Sequence, residues 1–181
     1  DHKEIDAMNR VIDSGFYTMG KNVEKFESIF SSFFGSKYAL MLNSGSSANL
    51  LSVAALFFLK NNPLQRGDEV IVPSVSWSTT YAPLQQYGLK VKFVDISLDT
   101  LNFDLDKLKE AITDKTRAIF AVNILGNPNE FLKINNIIKN KNIYLLEDNC
   151  ESMGAKYENQ FTGTFGIAGT FSSFFSHHIS T

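Results

Sequence analysis

Short apolar runs alternate with stretches of helical character along most of this chain, and that alternation constrains the fold more than any other feature. The runs are Tyr38–Leu42, Glu69–Pro73, Lys90–Asp95, Arg117–Asn123 and Ile143–Glu147. Between them the sequence predicts a strongly apolar helix after Asn49 to about Leu59, a helix over Ser76–Tyr87 closed by Gly88, and one capped by Asp104. A further, mostly helical stretch runs from Asn127 to about Asn140. Buried strands separated by helices of this length argue for a mainly parallel sheet covered on both faces. Ahead of the alternation, Ile5, Met8, Val11 and Ile12 recur at helical spacing with Gly15 as a stop. A second helix, capped by Asn22, carries a stripe of Phe26, Ile29, Phe30 and Phe33 ending at Gly35, which reads as core packing.

A chain of 181 residues is long enough for one sizeable domain. A formal net charge of -2 gives no global case for nucleic acid or an anionic membrane as partner. The single cysteine, Cys150, excludes an intrachain disulfide framework and fits a reducing cytoplasm. The sequence contains no apolar run long enough to span a bilayer and no signal-peptide pattern. It lacks an initiator Met and stops in a Ser/Thr-rich stretch, so a piece of a longer protein is expected.

In a sheet of this kind ligands gather beyond the carboxyl ends of the strands. Four polar stretches fall there: Ser44–Ser47, Ser74–Thr80, Asp148–Ser152 and Ser172–His178. The Ser44-Gly45-Ser46-Ser47 turn either holds a phosphate on hydroxyls and helix-start amides or simply caps its helix. Trp77, the only tryptophan, either lies against a flat heteroaromatic ring or packs. Asp148 ends a buried run, so its carboxylate wants a partner: a protonated pyridine nitrogen, an Arg or a backbone cap. Glu151 is placed to face the same cleft, and Cys150 reads as a small filler because nothing nearby marks it for activation. His177 and His178 are adjacent, so in an extended segment they point opposite ways and do not share one metal. No third ligand at recognisable spacing occurs, and a general base or a surface residue is the open alternative.

Taken in order, Ser44-Gly45-Ser46-Ser47-Ala48-Asn49, Trp77, Glu147-Asp148 and Gly169-Thr170-Phe171-Ser172-Ser173-Phe174 resemble the pyridoxal-phosphate enzymes of the DegT/StrS sugar-aminotransferase family. The resemblance covers essentially the whole chain. It implies the aspartate aminotransferase (type I) fold, with residues 1–181 forming the N-terminal segment and an incomplete large domain. It also implies Gly45, Ser46 and Ser172 on the cofactor phosphate, Trp77 against the ring, Asp148 on the pyridine nitrogen and Glu151 beside the cofactor.

One departure matters most. The family places a lysine six residues after the phenylalanine matching Phe171, and that lysine links the cofactor covalently; here the position is His177. No lysine occurs from Tyr157 to Thr181. A histidine there is similar to the coenzyme-dependent 3-dehydratases of deoxysugar synthesis. Imidazole forms no lasting imine, so pyridoxal 5'-phosphate and its amine form, pyridoxamine 5'-phosphate, are expected to be held without a covalent link, with His177 as the proton-transfer group. The runs Phe16-Tyr17-Thr18-Met19-Gly20, Leu125-Gly126-Asn127-Pro128-Asn129 and Ser176-His177-His178-Ile179 narrow the resemblance to the branch acting on GDP-linked sugars. The implied partners are GDP-4-keto-6-deoxy-D-mannose, L-glutamate and a second copy of the protein, with the site at the dimer interface. A CDP-sugar branch carries an iron–sulfur cluster on cysteines, which Cys150 alone cannot supply. Asn123-Ile124-Leu125-Gly126 stands where many relatives have a histidine.

Overall fold

The computed structural model describes residues 2–177, which divide into two compact units, residues 2–42 and 43–177. The call on His178 lies outside the described residues.

The first unit contains helices α1 (His2–Ser14) and α2 (Lys21–Phe34). The α2 helix starts after Gly20 rather than at Asn22, and it ends on Gly35, whose left-handed φ of 72° lets its N–H reach the Ser31 carbonyl. Phe26, Phe30 and Phe34 stack along one side with ring centroids 5.4 and 4.5 Å apart, as four-residue spacing requires. The stripe does not form the expected core. Phe34 is the one buried residue of α2, while Phe26, Ile29 and Phe33 are 39%, 57% and 62% exposed. Nor is Tyr38–Leu42 a buried strand: Tyr38 and Leu40 are 78% and 63% exposed. Its composition suits a strand, but no described strand hydrogen-bonds it, and a ladder needs a neighbour.

The second unit is a five-stranded, all-parallel sheet between two helical layers. Its strands are β1 (Glu69–Pro73), β2 (Lys90–Val94), β3 (Thr116–Val122), β4 (Tyr144–Asp148) and β7 (Ala168–Thr170), in the order β2-β1-β3-β4-β7. Side chains alternate across the pleat, so each strand feeds two cores. Val70, Val72, Ala118, Phe120 and Leu146 pack under α3 (Gly45–Phe57) and α4 (Ser78–Gln86), with Val53, Leu56 and Leu84 from those helices. Ile71, Ile119, Ala121 and Leu145 pack on the other face under α5 (Leu105–Ala111) and α6 (Phe131–Ile138), with Leu108, Phe131 and Ile134. Burial on both faces is why these strands read as unbroken apolar runs. Asp104 caps α5 as expected, its carboxylate accepting from the Asp106 and Lys107 N–H groups.

The chain moves from β1 outward to β2 through α4, then back across to β3 through α5 on the opposite face. The direction of winding therefore reverses between β1 and β3, and such a switch point opens a crevice at the carboxyl ends of the strands. The β4–β7 connection has no helix. It contains a hairpin, β5 (Lys156–Tyr157) and β6 (Gln160–Phe161), turned through Glu158 and Asn159 with φ of 48° and 66°. The sequence reading does not anticipate this hairpin or β7.

Phe120 is fully buried between β1 and the α3–α4 layer. In the full-length protein, Phe120→Ala is expected to lower stability by about 4 kcal/mol in urea denaturation. A loss below about 1 kcal/mol would contradict the two-face packing.

Candidate active site

The site is assembled around Asp148, the last residue of β4. On this strand Leu146 and Asp148 face α3 and α4, so the carboxylate emerges beneath the first turns of those two helices. It is buried, and three neutral donors hold it. Asn49 Nδ2 (2.8 Å) and Thr80 Oγ1 (2.9 Å) donate to Oδ2, and the Cys150 N–H (3.1 Å) donates to Oδ1. Among the described residues no cationic side chain pairs with this carboxylate, and a buried carboxylate of this kind is best satisfied by a cationic partner.

The polar lips do meet. Ser44 caps α3, its hydroxyl accepting from the Ser47 N–H at 3.1 Å, which leaves the amides of Gly45 and Ser46 in the helix's first turn. A Cβ on Gly45 would stand 2.9 Å from Ser172 Cβ and 3.0 Å from Cys150 Sγ, so α3 starts against both the β4 and β7 ends. Only glycine permits that approach. Asn49, four residues on and on the same side of α3, is fully buried: its Oδ1 accepts from Thr170 Oγ1 at 2.6 Å, and its Nδ2 also donates to the Thr79 carbonyl at 3.2 Å. Ser172 is buried two residues beyond Thr170, its hydroxyl accepting from the Phe174 N–H. Trp77 precedes α4 and is 76% exposed, which leaves its ring face open to a ligand rather than packed. Tyr81 Oη pins this turn by donating to the Ser76 carbonyl at 2.5 Å.

Glu147, on the other face of β4, has a different task. Its carboxylate accepts from the N–H groups of Gly163 and Phe165 (2.6 Å each) and Gly166 (2.7 Å), fixing the loop that leads into β7. Burial pushes its carboxyl up to about 7, against the opposing pull of the three amides. Cβ atoms on Gly163, Gly166 or Gly169 would collide with the Phe171 ring, the Leu145 carbonyl and the Gly163 backbone, so this loop is packed to backbone contact. Burial, then the Asp148 charge, push the Cys150 thiol far up, in keeping with a filler rather than a nucleophile.

Glu151 sits at the edge of the cleft and is exposed, its Oε2 accepting from the Leu125 N–H at 3.2 Å in the single 3-10 turn Ile124–Gly126. Asn123, at the end of β3, is buried in a side-chain amide network: it donates to Asn149 Oδ1 at 2.8 Å and accepts from Asn129 N–H and Nδ2. It is thus committed to structure. His177 is half-buried, its N–H donating to the Phe174 carbonyl at 2.8 Å and its ring edge-on to Phe174. Among the described residues no three His, Cys, Asp or Glu side chains converge on a possible metal position, and no helix is long and apolar enough to cross a membrane.

The structure thus sets Gly45 against Ser172 and Cys150, links Asp148 to that point through Asn49 and the Cys150 N–H, and brings the Trp77 turn in through Thr79 and Thr80. It ties Glu151 to the β3 turn instead. Asn49, Thr80 and Thr170 fall within the polar stretches and motifs read from the sequence, but the sequence assigns none of them a role of its own. The available signal was the four-residue spacing from Gly45 to Asn49, which puts a polar side chain on the buried side of an apolar helix.

A parallel sheet bearing a buried acid, a helix start and a facing hydroxyl at one strand-end crevice defines an α/β protein of the open-sheet class. The family model for the DegT/DnrJ/EryC1/StrS aminotransferase family matches residues 1–181, and the chain belongs to that family. It is 63% identical over its whole length to the GDP-4-keto-6-deoxy-D-mannose 3-dehydratase of Yersinia pseudotuberculosis, covering 46% of that protein. Its fold matches the structure of the Escherichia coli GDP-4-keto-6-deoxy-D-mannose-3-dehydratase with bound hydrated PLP, at a TM-score of 0.97 and 62% identity over 99% of this chain and 46% of that one. A structure of GDP-4-keto-6-deoxymannose-3-dehydratase with a trapped PLP-glutamate geminal diamine matches with a TM-score of 0.97 and 61% identity, over 99% of this chain and 47% of that one. The aminotransferase fold expected from the sequence is the fold observed, and the chain spans about half the length of the curated relatives it matches.

Glu147 gives this site a pH signature. Its carboxyl lies near 7 folded against an ordinary value of 4.5, so its contribution to stability is full below pH 4.5 and is lost as pH rises through 7. Relative to Glu147→Gln, the full-length protein is expected to lose about 3 kcal/mol of unfolding free energy between pH 4.5 and 8. A pH-independent difference in urea midpoints would contradict this placement.

Proposed function

We propose that the protein containing this chain is a coenzyme-B6-dependent sugar-nucleotide 3-dehydratase that removes the 3-hydroxyl of GDP-4-keto-6-deoxy-D-mannose. The observation that carries the reading is His177, at the position where the family pattern has its cofactor-linking lysine, in a chain 63% identical to a 3-dehydratase. The site suits pyridoxal or pyridoxamine phosphate: a helix start with its first-turn amides, a hydroxyl against it, an exposed tryptophan and a buried carboxylate that pairs with no cation among the described residues. In this reading Gly45, Ser46 and Ser172 hold the phosphate, aided by the α3 dipole. Trp77 covers one face of the ring, and Glu151 stands at its edge with the 124–126 turn. When bound, the cofactor supplies an amine that condenses with the sugar's 4-keto group and a ring that accepts electrons.

Asp148 keeps a proton on the ring nitrogen, so that the ring remains an electron acceptor. The His177 imidazole, which can both accept and donate a proton, would take one from the carbon bearing the amine and hand one to the departing 3-hydroxyl. Because imidazole forms no lasting imine, nothing here returns the cofactor to a lysine-linked state, and deoxygenation is favoured over amine transfer. L-glutamate restores the amine. The exposed apolar side chains of the first unit, among them Ile5, Met8, Ile29 and Phe33, support assembly as a homodimer. Residues 1–181 are read as the N-terminal segment and part of the large domain, and the single cysteine supports a cytoplasmic location.

The test is incubation of full-length protein with pyridoxamine phosphate, L-glutamate and the 4-keto sugar nucleotide. A 3-deoxy-4-keto sugar and ammonia are expected, with His177→Asn lowering the rate about 10³-fold while cofactor binding stays within a few-fold. An aminated sugar would move the protein to the aminotransferases, and binding without product would make it a sensor.

A further inference from the structure

Nothing above assigns a role to the buried groups that hold Asp148, and their geometry is specific enough to give them one. The Asp148 carboxylate and the Thr79 carbonyl are acceptors only, so the side-chain amide of Asn49 must turn its nitrogen to both and its oxygen to Thr170. By the same reasoning the Thr80 hydroxyl spends its one proton on Asp148 Oδ2. Ser76 Oγ, 3.0 Å from Thr80 Oγ1, is then the donor in that contact. Two chains of hydrogen bonds therefore end on one oxygen. One runs from Ser76 through Thr80, beside Trp77; the other runs from Thr170 through Asn49, beside Ser172. Such chains polarise each other and fix orientation in a dry site. With Oδ2 gripped from two helices, Oδ1, which takes the Cys150 N–H, is the less engaged oxygen.

We infer that Asn49 and Thr80 are positioning residues that lock the Asp148 carboxylate plane, so that Oδ1 is presented to the nitrogen of the bound ring. This rests on the cofactor reading above. Asn49 has the wider reach, since one amide joins α3 to the ends of β4 and β7 and to the first turn of α4. Leucine there would take a hydrogen bond from each of three polar partners, and aspartate would set carboxylate against carboxylate. Thr80 is the cleaner probe, because valine matches its shape and removes only the hydroxyl.

The experiment measures pyridoxamine-phosphate affinity of the full-length protein by calorimetry for Thr80→Val, Thr80→Ser and Asn49→Ala, each with Asp148 intact and in an Asp148→Ala background. Thermal midpoints are recorded in parallel. With Asp148 present, Thr80→Val is expected to weaken binding about tenfold, a charged hydrogen bond lost, and Thr80→Ser to restore it. In the Asp148→Ala background the same substitutions should change affinity less than about twofold, because their effect passes through the carboxylate. Equal losses in both backgrounds, or an undiminished affinity in Thr80→Val with Asp148 present, would overturn the inference. If Asp148→Ala alone binds as tightly as the parent, the assignment of Asp148 to the ring fails first, and this inference with it.

Discussion

Two carboxylates end β4, and the way each is satisfied organises everything around them. Because side chains alternate along a strand, Glu147 and Asp148 leave the sheet on opposite faces, and both are buried. Glu147 is bound by three main-chain amides of the 163–166 loop and works as an internal anchor. Asp148 accepts from neutral groups of α3, α4 and the following turn at the carboxyl end of the strand. The anchor sets where β7 begins, and β7 carries Thr170 and leads to Ser172. The second carboxylate gathers the helix starts over the same point. Neither could be exchanged for an apolar residue without leaving several buried donors unmet.

That arrangement explains how much of the protein was legible beforehand. Runs such as Ile143–Glu147 announced the sheet because burial on both faces removes any polar alternation, and Asp148 was marked by being a charge at the end of such a run. The Ser44–Ser47 turn was legible as a helix start, and Ser44 does cap α3, while the sequence left open whether the turn also holds a phosphate. By contrast, Ala168-Gly169-Thr170 has no apolar period, and its place in the sheet depends on the grip of Glu147 on distant amides. Tyr38–Leu42 has strand composition but no strand neighbour among the described residues, and much of the α2 stripe is exposed. Those are tertiary facts that local pattern does not carry. Asn49 and Thr80 belong in the same group, since their meaning appears only when three strand ends meet.

The substitution at position 177 is the other half of the design. In the proposed reading, a scaffold completed elsewhere in the family by a covalent link to lysine carries an imidazole at that position, while Gly45, Ser46, Ser172, Trp77 and Asp148 serve the cofactor. Non-covalent retention in that reading rests on such groups, which gives the seating of Asp148 more weight than it would have beside a tether.

The most direct measurement is therefore of the tether itself. Full-length protein loaded with pyridoxal phosphate is treated with borohydride and weighed intact by mass spectrometry, with a parallel sample dialysed. The prediction is an unmodified mass and a cofactor that dialyses away. A stable adduct mapping to an active-site lysine would contradict the role given to His177.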